Sequence, residues 1–516
     1  MNTRTILRNT LWFALENLIS FGASLISSFL IARALGPTRM GYIVYVLWIV
    51  NICSSLGAIG IPATTRKYMG EFLGGGSQGA ARHVFRVTLL AQCGTATVAT
   101  LGALVWVLRD VQPDYRLASI LLVLSIWPAM VNSVCAFANI ATEDLSANLP
   151  GSVASTVVFF AITMLTVLLH WGVVGVAISM LAMRTTDFLV RFVPTYWRIH
   201  QWPKAESEVP EGLPKRMRSF ALQSLTGMLL TLIVWDRSEV LLLKHFSTDI
   251  RQIAFYSVAF SLAERLLVFP TVFASATGAS MFAQFGRDRT RLPALTAASA
   301  RYLGLTSIPL HIIATSLAGA ALLTMYGKQY AGAVTVAMAA PLLCIAKAFL
   351  TPVQTMFETL ERQSFFIATT LAASVIDIAV AIFLIPKHGA LGAAIGSGVA
   401  QMLCVGVLWF LAIRKYGVRL PWQFFGRVVA ISLVASAVGY ACVVRTLPVV
   451  GLLLGGVLST ITFLALAGLF RIFEEEDLKR FGVLVASCPA ALAAPVSLTF
   501  GWLSRRSVPA QTEELL

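Results

Sequence analysis

Residues 389–413 read GALGAAIGSGVAQMLCVGVLWFLAI, twenty-five residues without a single charge, closed by Arg414-Lys415. As a helix at about 1.5 Å per residue this run is about 37 Å long, more than the roughly 30 Å hydrocarbon core of a bilayer. Trp409 falls near its end, where an interfacial aromatic belt would place it. The stretch therefore reads as a transmembrane helix, and the rest of the chain follows the same pattern.

Thirteen further apolar runs occur. They lie at about 10–32, 41–62, 87–108, 117–140, 151–170, 172–191, 219–243, 252–282, 303–325, 333–357, 364–385, 428–446 and 449–470. Charged residues make up only 12% of the 516, against 57% hydrophobic, and the mean hydropathy is +0.80. Ordinary soluble chains carry about 25% charged residues, so a soluble enzyme and a disordered chain are both excluded. The expected fold class is an all-α polytopic membrane protein of about fourteen spans. After Glu474-Glu475-Glu476-Asp477 comes a further apolar run, Val483 to Leu503. Pro489 and Pro495 interrupt it, which favours an interfacial segment over a fifteenth span.

The net charge of +15 is explained by topology, and no nucleic-acid partner is expected. With the N-terminus inside, 26 of the 39 Lys and Arg fall in inside segments and nine in outside turns. That bias places both termini in the cytoplasm. The seven cysteines all sit in apolar stretches with neither metal-ligand nor disulfide spacing. No cofactor, metal or catalytic residue is expected, since there is no P-loop and every outer connection is too short to carry a catalytic loop.

A repeat organises the spans. Gly172-Val-Val-Gly175-Val-Ala177 corresponds to Gly389-Ala-Leu-Gly392-Ala-Ala394 at an offset of 217, and Gly41-Tyr42 corresponds to Phe255-Tyr256 at 214. The polar stretch 192–218, with Pro203, Pro210 and Pro214, divides the first twelve spans six and six. The expected organisation is an N-terminal lobe (1–191), a cytoplasmic linker (192–218) and a C-terminal lobe (219–413). Two further spans with an amphipathic segment (414–482) and a terminal apolar segment and tail (483–516) complete it. Two copies of six spans share orientation, related by a pseudo-two-fold along the membrane normal, with a central cavity between them.

Charges inside spans are the candidate functional residues, because each costs about 2.5–3.5 kcal/mol at mid-bilayer on insertion scales. Arg184, Arg237, Arg265 and Lys347 are the candidate cations for an anionic head group, and Arg suits a phosphate through its planar fork of donors. Glu16, Asp187, Asp236, Glu239, Glu264 and Asp377 are candidates for balancing them or carrying a coupling ion. Simple internal pairing, Arg184 with Asp187 or Lys347 with Asp377, competes with that reading. Arg191 reads as an interfacial snorkeller.

Several stretches resemble one family. They are Arg8-Asn9-Thr10-Leu11-Trp12, then Ala32-Arg33-Ala34-Leu35-Gly36-Pro37-Thr38-Arg39-Met40-Gly41-Tyr42, and Gly57-Ala58-Ile59-Gly60 followed by Arg66-Lys67-Tyr68. Asp236 with Tyr256, the paired Gly-x-x-Gly-x-Ala motifs and Glu476-Asp477-Leu478 add to them. Over most of residues 1–482 the chain resembles the bacterial polysaccharide-transport and O-antigen flippases of the multidrug/oligosaccharidyl-lipid/polysaccharide exporter superfamily. The resemblance implies two pseudo-symmetric lobes, alternating access, and a polyprenyl-diphosphate-linked oligosaccharide moved from the inner to the outer leaflet of the cytoplasmic membrane. Polysaccharide polymerase and glycosyltransferases are the implied partners. A cation-coupled multidrug or small-solute exporter of the same superfamily stays open as the alternative.

Overall fold

The structure, a computed structural model, describes residues 3–204, 210, 212–235, 238–268, 270, 289–360 and 362–473. Among the described residues the regular structure is helical. Eleven segments are long and apolar enough to cross a membrane. They correspond to expected spans one to six and nine to fourteen, the first two joined. Expected spans seven and eight, like the segment from 474 onward, lie partly or wholly outside the described residues.

The chain forms two compact units, Met1–Lys244 with Thr248–Ala254, and His245–Ser247 with Phe255–Leu516. The first begins with α1 (Thr3–Ala58), two helices in one: Gly36 breaks it at φ 73°, ψ 170°. Proline disfavours helical geometry in the residue before it, and only glycine takes this φ without strain. Gly36-Pro37 thus makes the connection expected between the first two spans. Then come α2 (Ile61–Gly74) and α3 (Gln78–Asp110). The Gly74-Gly75-Gly76 triplet is the turn between them, with Gly76 at φ 80° and Ser77 capping α3 through Ala80 N–H.

The fourth crossing is broken at Ser125 into α4 (Arg116–Leu124) and α5 (Ile126–Ala141). Pro128, which cannot donate a helix bond, follows the break. A short polar turn leads to α6 (Leu149–Leu168), which packs along α7 (Gly172–His200). Helix α7 continues nine residues beyond the expected end of its span, and the next helix, α8 (Leu213–Trp235), starts at Leu213. Most of the polar stretch 192–218 is therefore helical. The short α9 (Glu239–Phe246) and α10 (Arg251–Arg265) follow.

The second unit contains α11 (Leu292–Tyr326), α12 (Val334–Thr359), α13 (Gln363–His388) and α14 (Ala390–Tyr416), then α15 (Trp422–Arg445) and α16 (Pro448–Leu469). Helices α15 and α16, the two outside the repeat, pack together and against α11. Leu305, Ile308, Ile312, Val428, Ile431 and Phe463 form their common core. Many large apolar side chains are exposed, among them Leu453 at 65% and Phe383 at 66%. Water would penalise such a surface, whereas a bilayer accepts it.

The repeated glycine motif has a shared geometry. Gly172 and Gly389 both turn the chain with positive φ, 60° and 53°. Three residues later Gly175 and Gly392 let consecutive helices touch. A Cβ on Gly175 would lie 2.5 Å from Thr166 Cγ2, and one on Gly392 would lie 2.5 Å from the Leu384 carbonyl oxygen.

Candidate functional site

In the first unit, a polar seam joins α5, α6 and α7. Asp187 and Arg191, one turn apart on α7, form an ion pair of 2.8 Å. Asn132 of α5 donates to the other Asp187 oxygen at 2.7 Å. Arg191 also donates to Ser152 Oγ at 2.9 Å and to the Asn148 carbonyl at 3.3 Å. Gly151 makes room for this, since a Cβ there would sit 2.7 Å from Asp187 Oδ1. Arg184 and Arg191 both share a face with Asp187, and packing against α5 and α6 gives the ion pair to Arg191 and not to Arg184, the pairing that had competed with a cavity role for Arg184. Arg191 itself is buried, only 8% exposed, and bonded within the seam, where a snorkelling side chain would extend freely.

Two turns further along α7, Arg198 bonds Asp144 and Asn139, both at 2.6 Å. Thr195 donates to Asn139, which donates to Asn148. These bonds hold α7 helical past Arg191. Burial pushes the Asp144 carboxyl up, but hydrogen bonds from Ser146 and Arg198 and the Arg198 charge outweigh it, and the net pKa is lowered. Asp144 therefore adds stability above its unfolded pKa, and that stability is lost as pH falls through the lower folded value. Thermal unfolding of the purified protein between pH 7 and pH 3 is expected to show a smaller acid loss in Asp144→Asn than in the wild type.

Arg184 stands apart from the seam. It lies about 18 Å along α7 from Gly172, near the middle of that helix; its side chain has accessible surface although protein atoms crowd the surrounding volume. Among the described residues Arg184 makes no ion pair. Three aromatic side chains follow it at four-residue intervals on α7: Phe188, Phe192 and Tyr196.

In the second unit Glu264 of α10 faces Lys347 of α12 at 3.9 Å. One acid opposite Lys347 is thus Glu264; pairing with Asp377 had been the reading that competed with a cavity role for Lys347. Spacing along one helix says nothing about which neighbour a lysine meets. Arg265 is partly buried, Asp377 of α13 is fully buried, and Glu239 of α9 is buried. Asp236 and Arg237 lie outside the described residues, and so does the side chain of Glu16, whose backbone is in α1. Sequence reasoning missed Asn132, Asn139, Asn148, Ser152 and Arg198. Asparagines in spans, which need partners away from water, were the available signal.

These features define a multi-pass helical membrane protein with ionised and hydrogen-bonded groups inside its spans. The fold is shared with solved transporters. The lipid II flippase MurJ in an inward closed conformation matches with a TM-score of 0.65 at 12% identity, over 90% of this chain and 98% of that one. An inward-facing multidrug resistance MATE family transporter of the MOP superfamily matches at 0.65 and 14%, over 79% and 98%. A MOP superfamily transporter from Pyrococcus furiosus, described by the reverse polarity of its binding pocket, matches at 0.51 and 13%, over 80% and 94%. No curated protein matches by sequence. Residues 30–335 match the family model of the polysaccharide biosynthesis proteins, and the chain belongs to that family.

Proposed function

We propose that this protein is a flippase carrying a polyprenyl-diphosphate-linked oligosaccharide from the inner to the outer leaflet of the cytoplasmic membrane by alternating access. Its product feeds the assembly of a cell-surface polysaccharide such as O-antigen, capsule or exopolysaccharide. Both termini are cytoplasmic in this reading, and polymerase and glycosyltransferases are its working partners. The observation that carries it is the exposed side chain of Arg184 at mid-span, beside an acid already engaged by Arg191. A cation held there is costly unless it meets water or an anion. A diphosphate supplies the anion, and the prenyl tail stays in lipid. Arg237, Arg265 and Lys347 add positive charge along the path, balanced at rest by Glu16, Asp187, Asp236, Glu239, Glu264 and Asp377. ATP is not required, since an inside-negative potential drives each negative charge outward by about 2.3 kcal/mol per 100 mV.

The test uses cells that depend on this chain for their surface polymer, with membrane levels of each variant matched. Charge-assisted hydrogen bonds are worth about 1.5–3 kcal/mol, so Arg184→Gln is expected to lower polymer export by at least about tenfold. Lipid-linked precursor should accumulate, and Arg184→Lys should retain part of the activity. The double variant Arg265→Ala, Lys347→Ala is expected to lose export as well. Undiminished polymer in both would overturn the reading and favour the cation-coupled exporter.

A further inference from the structure

The cytoplasmic half of α7 carries a continuous aromatic ladder. Phe188 and Phe192 have ring centroids 4.9 Å apart, Phe192 and Tyr196 5.4 Å, and Tyr196 and His200 5.5 Å. The last two pairs are stacked within 16° of parallel. Trp127 of α5 stands edge-on to Phe188 at 5.7 Å, forming a side wall. Arg184 is one turn above Phe188 on the same four-residue spacing. At the other end His200 contacts the Arg82 guanidinium at 3.3 Å. The ladder thus runs about 24 Å, from a cation at the cytoplasmic end to a cation near the middle of α7.

Its place around the helix is informative. On one side lies the polar seam of Asp187, Arg191 and Thr195, the last two buried. On the other lie Leu189, Val193 and Trp197, exposed at 52%, 47% and 64%, which form an apolar, lipid-compatible face. The ladder occupies the border between the two, with Tyr196 38% and Trp127 36% exposed. A border of this kind suits a molecule whose tail is in lipid and whose head is polar. Pure lipid contact does not account for Arg184 at the head of the series, because a guanidinium is costly in hydrocarbon.

We propose that this ladder is the track along which the glycan head group enters. Pyranose rings lie on Phe188, Phe192 and Tyr196, with Trp127 beside them, while the diphosphate meets Arg184. Near-parallel rings with centroids 5.4 and 5.5 Å apart are offset, and the part of each negative ring face left open meets the partly positive C–H groups on one side of a pyranose. Arg184 supplies the paired donors that a phosphate accepts. The order fits the ligand: the diphosphate sits deeper, and the sugars trail toward the cytoplasm. This inference rests on the flippase reading and gives that site its substrate chemistry, a diphosphate followed by pyranoses.

The experiment measures equilibrium binding to the full-length protein in phosphatidylcholine nanodiscs. The probes are farnesyl diphosphate and a panel of farnesyl-diphosphate-linked disaccharides built from glucose, galactose, rhamnose or N-acetylglucosamine. The wild type is expected to bind at least one sugar-bearing probe about tenfold tighter than farnesyl diphosphate, since each aromatic contact is worth about twofold to tenfold. Phe192→Leu, which stays apolar and suits lipid equally well, is expected to bring that ratio toward one, and Phe192→Tyr to keep it. Trp127→Leu should reduce it in the same direction. Arg184→Gln should weaken all probes alike. A ratio unchanged in both leucine variants, or a wild-type ratio of one across the panel, overturns the track and leaves the flippase reading standing. Failure of the wild type to bind any probe overturns the flippase reading itself.

Discussion

Arg191→Leu will lower the stability of the protein by about 2–4 kcal/mol, read as a shift in its unfolding midpoint in detergent or nanodiscs. Removing one partner of a buried ion pair costs about 3–5 kcal/mol, because the other charge stays behind uncompensated. Here the stranded group is Asp187, whose side chain is 20% exposed and keeps its bond from Asn132, so the effect falls below the top of that range. Leucine also leaves Ser152 Oγ and the Asn148 carbonyl without their donor. The double variant Asp187→Asn, Arg191→Leu removes the stranded charge. Neutral hydrogen bonds between membrane helices are worth only about 0.6 kcal/mol on average, so the double variant should be more stable than Arg191→Leu alone, a coupling of at least about 1 kcal/mol. A snorkelling Arg191 would give no shift and no coupling, and that result would remove the seam from the account of how α7 is held.

The difference between those outcomes marks the border of what the sequence discloses. Span positions were legible because length and charge decide them: residues 389–413 fill α14, and Gly36-Pro37 falls in the break of α1 where an outer turn was expected. The glycine repeat was legible too, since a positive-φ turn and a close helix approach restrict residue choice at fixed spacing. Rotation of helices about their axes was not. Arg184, Asp187 and Arg191 share a face in any reading, but which arginine the acid meets depends on where Asn132 and Ser152 arrive from α5 and α6. Lys347 shows the same limit across helices, because its acid comes from α10, far away in the chain. The end of α7 was misplaced for a related reason. Charge and proline at 192–218 suggest a linker, whereas Arg198 uses its charge to bond Asp144 and Asn139 and so extends the helix. The aromatic ladder was present as four-residue spacing, but spacing alone does not separate a wall for sugar from a belt for lipid.

The glycine motif gives the second large effect. Gly392→Val is expected to destabilise the protein by at least about 3 kcal/mol, or to prevent its accumulation in the membrane. Overpacking usually costs about 1–3 kcal/mol when side chains can move aside. At Gly392 they cannot help, because all three nearest atoms are backbone: Leu384 O at 2.5 Å, Leu384 C at 2.6 Å and Ile385 N at 2.9 Å. The α13–α14 hairpin must open to admit the side chain. Gly175→Val in the other copy meets Thr166 Cγ2 at 2.5 Å and Trp171 Cβ at 2.7 Å. Thr166 has other rotamers available, so its cost should be smaller than at Gly392. Gly406, on the same helix as Gly392, faces open space, and a Cβ there would have nothing within 4 Å. Gly406→Ala should therefore be neutral or stabilising by up to about 1 kcal/mol through helix propensity. Membrane yield and thermal midpoint of the three variants give the order directly. Gly392→Val behaving like Gly406→Ala would mean that the two helices do not touch there, and the repeated glycine would then need another explanation than close packing.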